Sequence, residues 1–165
     1  DVYKWHDDIR VSIYNGDIVQ ASGATGISKH DAYWKKDANG GNGMSPSDTF
    51  KLISGNLNLN SVSVHSGSGG QGGDATYSAV WHVPFGGGDG GHGGNGGNGA
   101  NIFNSDHGNV SLSKNCRLIP GNAGMGGRGS GPNPNYWVIS GKTGRNGKMG
   151  RAGKYINDTN KLIYY

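Results

Sequence analysis

One cysteine, five prolines and no long apolar run set the first limits on this 165-residue chain. A lone Cys116 can form no internal disulfide, and there is no second thiolate to build a metal site. No stretch approaches the ~20 apolar residues that cross a bilayer, so no membrane span is expected. The start at Asp1, without a signal-like segment, reads as a processed or excised chain. Leu, Ile, Val and Phe together number only 28, about 17 % of the chain, which is below the roughly 20 % typical of sequences that fold around side chains. The large net charge that accompanies disorder is also missing, at only +4. A conventional core is poorly supplied: either the chain is disordered, or something other than side chains packs it.

What is abundant is glycine, at 34 residues. Its distribution follows a period of three. Gly67, Gly70 and Gly73, with Gly69 and Gly72 in a second register, form one block; Gly87 to Gly99, with two positions in three glycine, form the longest. Gly121, Gly124 and Gly127 make a third, Gly141 to Gly153 a fourth, and shorter traces lie at Gly40, Gly41 and Gly43. Three is neither the period of an α-helix nor that of a strand, but it is the period of a left-handed extended helix rising about 3.1 Å per residue. Such a helix has no internal hydrogen bonds, so its backbone must bond to neighbouring segments. Only glycine lets main chains approach that closely. Collagen is excluded by the short runs and the scarcity of proline.

The expected fold is therefore mainly irregular and β. It is a bundle of polyglycine-II left-handed helices combined with short antiparallel β-strands, with little or no α-helix. Strand candidates lie in the inserts 51–65, 74–85, 100–120, 135–140 and 154–165. Residues 1–50 read as an N-terminal hairpin or arm region turning at Asn15-Gly16, and 51–165 as the glycine-rich domain. The number of glycine registers predicts placement. Gly87 to Gly99 should meet neighbours on two faces and project Asp89, His92, Asn95 and Asn98 outward. Gly141 to Gly153, with one register, should be an edge helix whose outward rows are Lys142, Arg145, Lys148, Arg151, Lys154 and Thr143, Asn146, Met149, Ala152, Tyr155.

The run from Val83 through Pro84, Phe85, Gly86 and on to Gly94 resembles the glycine-rich N-terminal domain of the Obg GTPases. Val62-Ser63-Val64, the Gly67 to Gly73 block and Thr143-Gly144-Arg145-Asn146-Gly147 follow in the same order as in that domain. Asp89 to Gly99 is also similar to part of the snow flea antifreeze protein, and the interrupted blocks resemble the tail-tip adhesins of T-even-like phages. These resemblances imply a backbone-packed glycine lattice more than any one function. The GTPase chemistry is missing: a phosphate loop ending at Gly141-Lys142-Thr143 would need glycine where Tyr136 stands.

No catalytic site, cofactor or metal site is expected. His6, His30, His65, His82, His92 and His107 lack metal-ligand spacing, and Ser, His and Asp are too dispersed for a triad. The function expected is a noncatalytic structural or adhesive protein: a virion component, a receptor-binding tip or an extracellular filament subunit. Its partners would be copies of itself, an assembly neighbour, or a cell-surface receptor or glycan, contacted by Tyr77, Trp81, His82, Tyr136 and Trp137 in the inserts. Two alternatives stand beside it. One is a cytoplasmic Obg-like module binding ribosomal RNA or another polyanion through Lys142, Arg145, Lys148, Arg151 and Lys154. The other, implied by the antifreeze resemblance, is ice binding.

Overall fold

The computed structural model describes residues 10–29, 38–76, 89–132, 142–156 and 162–164. No helix occurs among them. The strands are β1 (Arg10–Val19), β2 (Phe50–Leu52), β3 (Asn56–His65), β4 (Phe103–Ser105), β5 (Asn109–Leu112), β6 (Arg117–Ile119) and β7 (Leu162–Tyr164). β1, β3, β5 and β7 lie side by side with β6 also on β3, and β2 pairs with β4 in a second, smaller sheet. The chain is thus mainly irregular and β.

Every pairing among these strands is parallel, which corrects the expected antiparallel arrangement. Parallel strands need a crossover between them. Here it is a pair of extended segments, one leaving the sheet and one returning. The expected hairpin at Asn15-Gly16 is absent as well, because residues 10–19 form a single strand. Asn15 takes a left-handed conformation (φ 48°) and drops out of the ladder, with Tyr14 opposite Asn60 and Gly16 opposite Val62. The neighbouring strand kinks at the same level, at Ser61 (φ 55°).

That kink shifts the alternation by one residue. Leu57 and Leu59 before it and Val62 and Val64 after it are all buried, and Val11, Ile13 and Ile18 pack on the same cluster. In the third pass the kink has grown into residues 113–116, where Ser113 Oγ accepts from the Ser61 N–H at 3.0 Å and Cys116 Sγ lies 3.3 Å from the Leu59 carbonyl. Leu52, Ile102, Phe103, Val110 and Leu112 complete the core, with the Phe50 and Phe103 rings stacked at 5.6 Å. Among the described residues, this small hydrophobic core lies at the strand-bearing end.

Beyond the sheets, six extended segments lie among the described residues: 20–29, 66–76 and 120–132 run outward, and 38–49, 89–102 and 142–155 return. Their main-chain hydrogen bonds recur every third residue. Gly90, Gly93, Gly96 and Gly99 donate to the carbonyls of Lys142, Arg145, Lys148 and Arg151 in the parallel neighbour at 2.8–2.9 Å. Gly91, Gly94 and Gly97 donate to Thr76, Gly73 and Gly70 in an antiparallel neighbour at similar distances. The outward segments form one layer and the returning segments another. A Cβ at Gly94 would fall less than 3.0 Å from the Gly41 carbonyl oxygen, so close approach of main chains is what requires glycine there.

The described residues before position 50 take part in both arrangements: β1 pairs with β3, and Gly23 and Gly26 donate to Ser68 and Gln71. Of the expected inserts, 51–65 and 100–120 hold strands and 154–165 holds β7, while most of 74–85 and all of 135–140 lie outside the described residues.

Candidate functional site

The returning segments carry an ordered polar face. Equivalent positions in successive returning segments are 53 residues apart, and each step is closed by a side chain as well as by main chain. Asn39 Oδ1 accepts from the His92 N–H at 2.7 Å, Asn42 Oδ1 from Asn95 at 2.8 Å, Ser45 Oγ from Asn98 at 2.8 Å and Asp48 Oδ1 from Asn101 at 3.2 Å. One step further, Asp89 Oδ1 accepts from Lys142 at 2.7 Å and His92 Nδ1 from Arg145 at 2.9 Å. Asn95, Asn98 and Asn101 accept through Oδ1 from Lys148, Arg151 and Lys154 at 2.8–2.9 Å.

These short polar side chains complete the lattice by taking the one N–H in three that the neighbouring carbonyls leave over. Any residue at such a position must offer an acceptor toward the next segment. In 142–155 there is no next returning segment among the described residues, and the acceptors give way to Lys142, Arg145, Lys148, Arg151 and Lys154, all exposed. Gly144, Gly147, Gly150 and Gly153 turn inward against the carbonyls of Gly91, Gly94, Gly97 and Ala100. The five cations therefore stand in one row, one every third residue.

Asp89, His92, Asn95 and Asn98 are exposed, and the structure adds that their acceptor atoms are engaged with the adjacent main chain. Sequence reasoning missed Asn39, Asn42, Ser45 and Asp48, which open the same ladder. The available signal was the spacing of Gly40 and Gly43, each preceded by an Asn. Tyr77, Trp81, His82, Tyr136 and Trp137 lie outside the described residues. Cys116 is partly buried and hydrogen-bonded within the kink, which gives it a structural part. Among the described residues there is no group of three or more His, Cys, Asp or Glu placed to hold a metal, and no helix long and apolar enough to cross a membrane.

No protein-family model and no curated protein matches the chain. Among solved structures, it is similar to the nine polyproline type II helical bundle springtail antifreeze protein from Granisotoma rainieri. Identity is 19 %, the match covers 83 % of this chain and 92 % of that one, and the TM-score is 0.26. So loose a superposition carries over no residue and no activity.

Proposed function

We propose that the six extended segments are polyglycine-II helices and that they form a rigid, noncatalytic scaffold for contact loops, in a structural or adhesive protein. The helix reading rests on the three-residue recurrence of the inter-segment bonds and on the inward glycine rows. The functional reading rests on one feature of the topology. Lys29 and Ala38, Thr76 and Asp89, and Pro132 and Lys142 flank the three stretches that join outward to returning segments. All six flanking residues belong to the end of the array away from the sheets, where Lys29 bonds to Asp74, Thr76 to Ala38 and Gly91 to Thr76.

Those three stretches contain Trp34, Tyr77, Trp81, His82, Tyr136 and Trp137, and they are tethered at one end of the molecule. A scaffold that fixes its loop anchors lowers the ordering cost of binding. Aromatic residues in stretches whose anchors share one end of the array suit a receptor-binding tip or a contact between assembled subunits. A virion-associated or extracellular setting fits this use. Ice binding has only the loose antifreeze likeness behind it and is not adopted.

The test combines cell binding and self-assembly. Fluorescently labelled chain is applied to a panel of bacterial and animal cells, and its mass is followed by sedimentation. Saturable binding or assembly is expected in the parent and is expected to disappear in the Trp81→Ala/Trp137→Ala double variant, with folding retained. A double variant equal to the parent in both measurements contradicts the assignment.

A further inference from the structure

We infer that the outer face of the returning layer is a binding strip for an extended acidic polysaccharide, seated along the line of Arg145, Lys148 and Arg151. This surface is distinct from the loop-bearing end, and the inference does not depend on that end's role.

The first argument is the polarity of the face. Each amide in the ladder spends its oxygen on a neighbouring N–H, which leaves the Nδ2 groups of Asn42, Asn95 and Asn98 as the polar atoms offered to the outside. His92 accepts through Nδ1, so its proton sits on Nε2, and it too presents a donor. The ladder takes one lone pair of each amide oxygen and leaves both Nδ2 protons, so the face leans toward donors. Beside those donors runs the cation line. Between them lies an open groove of about 670 Å³ whose lining includes His92, Asn95, Lys142, Arg145 and Lys148, with Asp89 at one end.

The second argument is the placement of acids. Asp89 sits beside Lys142 at one end, and Asp48 beside Asn101 near Lys154 at the other. The three central rungs, His92 with Arg145, Asn95 with Lys148 and Asn98 with Arg151, hold no carboxylate. A negatively charged chain laid along these three rungs meets the cations of Arg145, Lys148 and Arg151 and no carboxylate of the rungs themselves.

The third argument selects the polymer. Single-stranded nucleic acid is held by a positively charged groove combined with aromatic platforms on which bases stack. The groove offers no Phe, Tyr or Trp. Its wall of amide and imidazole donors matches the carboxylate, sulfate and hydroxyl oxygens of an acidic glycan. The recurrence of cations every third residue, about 9 Å for this kind of helix, matches a partner whose charges are also spaced rather than continuous. The strip is held by the main-chain lattice before binding, so little ordering accompanies it.

Heparin serves as the polysaccharide probe and single-stranded poly-dT as the nucleic-acid probe, with affinities measured by calorimetry over a salt series. The full chain is compared with Arg145→Glu/Lys148→Glu, with Asn95→Asp/Asn98→Asp, and with Lys114→Glu/Arg117→Glu, whose exposed cations lie at the strand-bearing end. The Asn→Asp pair keeps the ladder's acceptor oxygens, removes the outward donors and sets two negative charges beside the cation line. The expected result is salt-sensitive heparin binding that falls about tenfold or more in the first two variants and stays within about twofold in the third. Arg145→Gln/Lys148→Gln gives the same answer if the Asn→Asp pair fails to fold. Equal loss in all three variants, parent-like heparin affinity in a folded Asn95→Asp/Asn98→Asp, or poly-dT binding as tight as heparin would each overturn the proposal.

Discussion

At the scale of single residues, the array distinguishes two kinds of glycine that composition treats alike. Gly94 faces the Gly41 main chain, which has no flexible side-chain end to give way, so a methyl group there must push two segments apart. Gly94→Ala is expected to cost about 2–3 kcal/mol or more in a denaturant melt. Gly16 sits in β1 with open space for at least 4 Å around the point a Cβ would occupy, and its backbone is not in the left-handed region. Gly16→Ala is expected to stay within about 1 kcal/mol of the parent and to lean toward stabilisation. The inward glycines of 90–99 were legible in the sequence because two registers in three are glycine there. Gly16 misled, since Asn15-Gly16 carries a strong local turn signal and the parallel partner strand overrode it.

At the scale of elements, each returning segment is completed by its predecessor's short polar side chains. Asn98→Ala removes the acceptor for the Arg151 N–H and is expected to destabilise by about 0.5–1.5 kcal/mol while speeding exchange of the Arg151 amide. Asn98→Asp, which keeps an oxygen in place, is expected to leave that amide protected. The outward row Asp89, His92, Asn95, Asn98 could be read from the sequence, and so could the exposed basic row. What could not be read was the bond between them, because it joins residues 53 apart and that interval appears only once the length of a full pass is known. The segments 20–29 and 38–49 were obscured for a related reason: they lie at one side of the array, need few glycines, and so look like an ordinary polar stretch.

At the scale of the whole molecule, a small core between two parallel sheets fixes one end, and main chain packed on main chain extends the structure away from it. The poverty in Leu, Ile, Val and Phe announced that division, but not that the strands would all run parallel while the extended segments ran out and back. Amide hydrogen exchange, resolved residue by residue, tests the arrangement most directly. The expected pattern is slow exchange throughout 90–102, and slow exchange at Gly144, Arg145, Gly147, Lys148, Gly150 and Arg151 with fast exchange at Asn146, Met149 and Ala152. In 20–29, only Gln20, Gly23, Gly26 and Lys29 are expected to be slow. Uniformly fast exchange in these segments, or protection at every second residue, would contradict the account.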